Sequence, residues 1–346
     1  MNRILLADIA SHNYNGKSVG HYYAVAKNYM NLMSCIVAGG PIYQYKFGKK
    51  NTYILPYDTK VEENVFKKKV KQLLNCRMLF NNTEGDTVIL QHAALATAII
   101  GVALFKRKST KLFLITYNDE GRNTIFKRFW YWLAKGKIEG VICPYEDIGK
   151  KYDVPFCVVP DYIYNGNDDN VQHCDYEDKS YDFCVVGRLD YDKGIIEVAK
   201  RFAGTKYRVI IAGKPQTQEM ADELLSVCKG EKNIILKLEY IADDEYYNYI
   251  WSSKYCILNY MGGYTERSSG VVLDVIFNGT PVIGKKCQAL SFIEENRIGC
   301  LFDDINSFDF SKLLNIIHYK QYEGNIIAYK NTHCWYGSKL KKFIGL

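Results

Sequence analysis

Two stretches in the second half of the chain hold residue types suited to a phosphorylated ligand. The first is GRLDYDKG, Gly187 to Gly194, where Arg188 and Lys193 follow a β-rich run and glycines bracket the loop. A guanidinium fork and an ammonium point charge together suit a diphosphate, because both neutralise charge on a departing nucleotide. The second is ERSSGVVLDVIFNGTPVI, Glu266 to Ile283. Ser268, Ser269 and Gly270 are expected to open a helix with Val271, Val272, Val275 and Ile276 on its apolar face, and Gly279 to close it. A small-residue entry presents backbone N–H groups and the positive end of the helix dipole, which suits phosphate. Glu266 and Asp274 stand eight residues apart, one just before the helix and one on its second turn. Both can serve hydroxyls flanking a phosphate. The same string also reads as an ordinary capped helix with a solvent carboxylate.

The elements that position these residues alternate as in an α/β protein. In the first half, β-rich runs at Ile4–Ile9, Ser34–Ala38, Thr52–Leu55, Thr87–Leu90, Leu112–Tyr117, Gly140–Cys143 and Cys157–Val159 are separated by helical spacing, as in Val19–Met33, Glu62–Leu74 and Ile125–Ala134. The acidic, Asn-rich stretch 161–180 reads as a linker. After it come strands Phe183–Val186, Tyr207–Ala212, Ile234–Leu238 and Tyr255–Leu258, with helices near Gly194–Phe202, Glu219–Cys228 and Asp243–Trp251. Strands apolar on both faces and joined by helices are parallel and buried on both sides. The expected architecture is two doubly wound, Rossmann-like domains, 1–160 and 181–325. A segment 326–346 would pack back on the first, and the cleft between the domains is the default ligand site.

Composition narrows the class. At 346 residues, with 24% charged and 48% hydrophobic, the chain is globular. The longest small-and-apolar run, Ala93–Phe105, has thirteen residues, whereas a bilayer span needs about 20. The first residues lack the order of an export signal, and eleven cysteines without CxxC pairing suit reduced thiols, so a cytoplasmic protein is expected. Residues 1–175 hold 23 Lys and Arg against 16 Asp and Glu, whereas residues 176–346 hold 22 of each. The whole +7 therefore sits in the first half, where an acidic partner surface would meet it. No zinc-finger spacing or RNP-like string points to nucleic acid, and no GxSxG elbow or P-loop points to a hydrolase or kinase.

GRLDYDKG after its strand, IIAG at 210–213, ERSSGVVLDVIFNGTPVI and IEENRIG at 293–299 together resemble the nucleotide-binding half of a retaining GT-B glycosyltransferase. The nearest group is the group 1 family, glycosyltransferase family 4. The resemblance covers about 183–303 well and the early chain loosely. The family writes a pair of acids E-x7-E, matched here by Glu266 and Asp274, with Asp one methylene shorter. The resemblance implies that Glu266 contacts donor-sugar hydroxyls and Asp274 the ribose. It implies that Arg188 and Lys193 hold the diphosphate beside Gly187, with the Ser268, Ser269 and Gly270 entry helping, and that the base lies near Tyr240 and Ile241. Asp190-Tyr-Asp192 imitates the DxD pair that holds a metal in other sugar-nucleotide enzymes. We read it as coincidental, since the adjacent cations do that electrostatic work, and expect neither a metal nor a cofactor.

In the first half, Asn15–Gly20 stands where the family has a glycine-rich turn, and Gly20 would bring its backbone close to the diphosphate. Thr116-Tyr-Asn-Asp119 replaces a family T-x-H-D string, so Asn118 can hydrogen-bond a sugar hydroxyl but cannot titrate. His92 and Asp119 are further candidates for acceptor or donor contact. Phe126, Lys127, Arg128, Phe129, Trp130, Trp132, Lys135 and Lys137 interleave aromatics and cations at helical spacing, as in an interfacial membrane anchor. The same spacing fits a helix with its aromatic face in the core. The C-terminal KLKKFIGL, Lys339 to Leu346, would add a second contact or complete a helix.

The expected activity is transfer of a sugar, with retention, from a nucleotide-diphosphate donor, UDP-sugar favoured, to a saccharide or lipid-linked acceptor in bacterial surface polysaccharide biosynthesis. The inner face of the cell membrane would be the surface met. The rival readings are a GT-B-fold sugar-nucleotide epimerase and a non-catalytic glycosyltransferase-like partner protein.

Overall fold

Runs of Val, Ile and Leu form parallel strands in each half of the chain, and the alternation of their side chains decides which helices they meet. The computed structural model describes residues 3–10, 12–13, 21–60, 63–91, 95–117, 123–160, 162–164, 174–265 and 269–346. The first sheet has seven strands, in the spatial order Thr52–Ile54, Ile36–Gly39, Ile4–Ala7, Thr87–Leu90, Lys111–Ile115, Gly140–Cys143, Phe156–Val158. The second has six, in the order Ile234–Lys237, Val209–Ala212, Tyr181–Val186, Ser253–Leu258, Val282–Lys285, Gly299–Phe302. Every pairing in both sheets is parallel. Numbered along the chain, each sheet begins 3-2-1-4-5-6, so each has a switch point beside its first strand, where doubly wound proteins bind ligands at the carboxyl ends.

In the first sheet Leu5, Val88, Leu112 and Leu114 face helices Val65–Asn81, Ala96–Phe105 and Ile125–Lys135. Their neighbours Leu6, Ile89 and Phe113 face helix His21–Leu32 and the end of helix Ile316–Ile344. In the second sheet Phe183 centres an aromatic cluster, with ring centroids 5.0 Å from Phe202 and 5.3 Å from Phe310. The chain divides into two units, 1–165 with 334–346 and 166–333.

Helix Ile316–Ile344 runs unbroken across the expected boundary at 325/326. Leu340 and Ile344, from KLKKFIGL, are buried on the face of the first sheet opposite helix Ile125–Lys135. The segment therefore completes a helix on that opposite face and does not extend the aromatic–basic surface. The aromatics of Ile125–Lys135 are themselves divided. Tyr131 is buried and Trp130 packs partly against the core, whereas Phe126, Phe129 and Trp132 are 57%, 54% and 70% exposed. Among the described residues, no helix is long and apolar enough to cross a membrane.

Candidate functional site

The first strand of the second sheet, Tyr181–Val186, ends at Gly187, whose N–H donates to the Ala212 carbonyl at 3.1 Å. The next strand leaves so close by that a Cβ on Gly213 would lie 1.7 Å from the Gly187 oxygen, so only glycine fits. Leu189 N–H donates to Lys214 O at 3.0 Å and Gln216 N–H to Leu189 O at 2.8 Å, which ties the loop to that exit. The loop closes in a 3₁₀ turn at Tyr191–Lys193 and turns into helix Ile195–Phe202 through Gly194, which is left-handed at φ +58° and ψ +35°. A Cβ on Gly194 would meet Asn259 Nδ2 at 2.3 Å, and that amide donates to Gly194 O at 3.2 Å. Met261 N–H donates to Asp192 O at 2.6 Å. The GRLDYDKG loop is thus clamped between the exits of the strands on either side of its own.

The clamp organises three charges. Arg188 Nε lies 3.0 Å from Asp190 Oδ1, with the Arg188 side chain 67% exposed and that of Asp190 buried. The other Asp190 oxygen accepts from the Tyr264 hydroxyl at 3.0 Å. Lys193 is only 8% exposed; its ammonium donates to Arg188 O at 2.7 Å and lies 5.3 Å from the Tyr264 ring centroid. Burial pulls the Lys193 pKa down, the Asp190 carboxylate opposes that, and the Arg188 charge adds to the lowering. The loop as a whole carries two cations and two carboxylates, since exposed Asp192 stands beside Lys193 at the same carboxyl edge. Asp190 already binds Arg188 and Tyr264, so it acts as the post that orients the guanidinium.

The helix expected from ERSSGVVLDVIFNGTPVI spans Gly270–Phe277, with Ser269 at its N-cap. The Ser269 hydroxyl does not cap the helix; it shares a 2.5 Å hydrogen bond with the buried Tyr260 hydroxyl. Side-chain capping by Ser269 is therefore not what satisfies the first amides, the groups that bind anions in such a position. A Cβ on Gly270 would meet nothing within 4 Å, whereas one on Gly187 would meet Val271 Cγ2 at 3.2 Å. The first turn of this helix therefore lies directly against the Arg188–Lys193 loop. On the second turn, half-buried Asp274 accepts from the Tyr246 hydroxyl at 3.3 Å. Burial, then the Asp274 charge, raises the Tyr246 phenol well above its ordinary value, so it stays a neutral donor. Tyr246 belongs to helix Asp243–Trp251, which follows exposed Tyr240 and half-buried Ile241 at the carboxyl end of strand Ile234–Lys237.

Of the sequence-derived candidates, the fold brings Gly187, Arg188, Lys193, Ser269 and Gly270 to one edge, and links Asp274 to the helix after Tyr240 and Ile241. Glu266, Ser268, Gly20, His92, Asn118 and Asp119 lie outside the described residues. Asn259, Tyr260 and Tyr264 escaped sequence reasoning, because their importance depends on strand Ser253–Leu258 pairing with Tyr181–Val186, seventy residues earlier. So did Gln91, just after strand Thr87–Leu90 at the switch point of the first sheet. Its N–H donates to Ala7 O at 3.0 Å, yet the residue is only 2% exposed and neither side-chain amide atom has a hydrogen-bond partner among the described residues. Such a group costs about 1–3 kcal/mol to bury and calls for an explanation.

No protein-family model matches the sequence, and no curated protein is close enough to match it. Solved structures do match in shape. HepE from Anabaena, in complex with UDP and glucose, superposes with a TM-score of 0.66 at 14% identity, covering 99% of both chains. Sucrose-phosphate synthase from Thermosynechococcus elongatus gives 0.67 at 13% identity, covering 99% of this chain and 98% of that one. A glycosyltransferase involved in avilamycin A biosynthesis gives 0.58 at 12% identity, covering 100% and 99%. With its two parallel sheets of seven and six strands, the chain has the GT-B fold of two Rossmann-like domains.

Proposed function

We propose that the chain is a retaining glycosyltransferase of the family 4 type, transferring a sugar from a UDP-sugar to a saccharide or lipid-linked saccharide. The observation that carries this reading is the clamped loop, which sets Arg188 and Lys193 against the first turn of helix Gly270–Phe277. Two cations and a helix N-terminus at the carboxyl end of a doubly wound sheet suit a nucleoside diphosphate. A structural neighbour bound to UDP and glucose supports the same donor class.

In this reading the bond between the anomeric carbon and the β-phosphate oxygen breaks, and the electron pair leaves with the nucleotide. Arg188 and Lys193 stabilise that charge as it develops, helped by the Ser269 and Gly270 amides and the Gly20 backbone. The acceptor hydroxyl bonds to the anomeric carbon on the same face, and its proton passes to the departing phosphate oxygen. No titrating protein base is required, which is consistent with Asn118 in place of a histidine. Glu266 and Asn118 hold donor-sugar hydroxyls, Asp274 holds the ribose, and Tyr240 and Ile241 border the base. No divalent ion enters the scheme. The product would be a surface polysaccharide built on the cytoplasmic side of a bacterial membrane.

Thermal shift against UDP, GDP, ADP and CMP, followed by incubation with the UDP-sugar alone, tests this reading. UDP should raise the melting temperature most, and the donor should be hydrolysed slowly. An isomerised donor would make the protein an epimerase, and no nucleotide response with an untouched donor would make it a non-catalytic partner.

Gln91 gives a separate expectation. Its side-chain amide is buried without a hydrogen-bond partner among the described residues, so Gln91→Leu should raise stability by about 1–3 kcal/mol, read as a higher melting temperature, with donor hydrolysis unchanged. A lower melting temperature would show that the amide is satisfied in the folded protein.

A further inference from the structure

The helices Val65–Asn81, Ala96–Phe105 and Ile125–Lys135 cover one face of the first sheet as a close-packed layer. A Cβ on Gly101 would lie 2.5 Å from Cys76 Sγ, and the Thr97 hydroxyl donates to Gln72 Oε1 at 2.7 Å across the first pair. The layer has an unusual composition. The first helix carries five cations, the third carries three, the middle one is uncharged, and none of the three contains Asp or Glu. Exposed helices of a water-facing surface normally intersperse both signs.

The outward positions are apolar or cationic. Phe66 and Val70 are exposed on the first helix, Leu104 on the middle one, and Phe126, Phe129 and Trp132 on the third. Each helix returns the chain to the start of a parallel strand, so the first turns of the first and third lie at the same, carboxyl edge of the sheet. Exposed Lys67 and Lys69 thus stand with Phe66 at one tip, and exposed Arg128 with Phe129 at the other. Lys71 pairs with Glu63, Lys135 with Asp153, and Lys137 donates to Ala103 O, so these three are committed within the domain. That revises the expectation from sequence. Lys135, Lys137 and partly buried Trp130 are replaced as contacts by Lys67, Lys69 and Phe66 on another helix.

We infer that the outer face of this three-helix layer docks on an anionic lipid bilayer. Exposed aromatics beside cations suit the headgroup layer, where amphipathic rings and positive charge are both favoured. A second copy is a poor occupant, because a two-fold contact through three helices that carry only cations sets like charges opposite one another. The domain's charge agrees, since residues 1–175 carry the whole +7. The inference rests on this layer and holds whatever the donor sugar is.

The test is co-sedimentation of the full chain with vesicles of phosphatidylcholine alone and of phosphatidylcholine with phosphatidylglycerol. Wild type should pellet with the anionic vesicles at low salt, and less as salt rises. At about 1 kcal/mol per cation, Lys67→Ser with Lys69→Ser should weaken partitioning about 30-fold. Phe129→Ser with Trp132→Ser should abolish it. These positions are exposed, and unchanged thermal melting will show that the variants fold. Wild type left in the supernatant, or lysine and aromatic variants that pellet as wild type does, would overturn the inference. So would equal binding to neutral vesicles, or a concentration-dependent dimer lost in the aromatic variant while vesicles leave the wild type in solution.

Discussion

Arg188→Ala should lower the turnover of sugar transfer by about 10²–10³, the usual cost of removing one preorganised electrostatic contact to a leaving group. The geometry separates this change from its neighbours. Arg188 is exposed and its guanidinium pairs with Asp190, so its loss should leave thermal stability nearly unchanged. Lys193→Ala should cost as much in turnover and also lower the melting temperature, because the buried ammonium ties down the Arg188 carbonyl and packs on Tyr264. Asp190→Asn should fall between, since the guanidinium keeps a neutral partner but loses its charged one. The measurements are steady-state kinetics with and without EDTA, and a melting curve for each variant. Activity that survives EDTA supports the two cations as the leaving-group stabilisers. Strict dependence on Mn²⁺ or Mg²⁺, lost again in Asp190→Asn or Asp192→Asn, would show that the acids serve a metal and that the proposed roles are wrong.

The second large effect separates the two acids of the Glu266–Asp274 pair. Asp274→Ala should weaken binding of free UDP roughly 10- to 100-fold, the range for a hydrogen bond to a charged group. The Tyr246 hydroxyl aims the Asp274 carboxylate at 3.3 Å, so Tyr246→Phe should show a smaller loss in the same assay. Glu266→Gln should behave in the opposite way. Its proposed partner is the donor sugar, so UDP affinity should hold while transfer falls by about 10²-fold, as for other contacts that strengthen in the transition state. Isothermal titration with UDP beside transfer assays distinguishes the two. Equal losses of UDP affinity in both variants would show that the assignment is wrong.

Much of this was legible along the chain, because the relevant signals are local. Helix Asp243–Trp251 and strands Thr87–Leu90 and Gly140–Cys143 run to their expected ends, since an acidic first turn and runs of β-branched residues act over a few positions. GRLDYDKG was placeable on a strand-to-helix turn for the same reason. Helix Val65–Asn81 outran the expected Leu74, because its last turns bury Cys76, Leu79 and Phe80 in one core with Ala98, Ile99 and Val102 of the next helix. Sequence alone determined most strands of both sheets and which loops carry cations, whereas helices Ala96–Phe105 and Ile316–Ile344 and strand Gly299–Phe302 emerged only in the fold.

Tertiary structure decided what those loops meet. Only the order 3-2-1-4-5-6 sets Asn259, Tyr260 and Tyr264 beside residues 187–194, and so turns Asp190 into a post and buries Lys193. Spacing likewise places Trp130 and Trp132 on different sides of a helix without saying which side the sheet covers, since both sides are apolar. The covered face is settled by contact with Leu112, Val141 and Tyr152. Helical and strand periods are properties of neighbours in the chain, whereas strand order and burial are won by summed contacts between residues far apart in it.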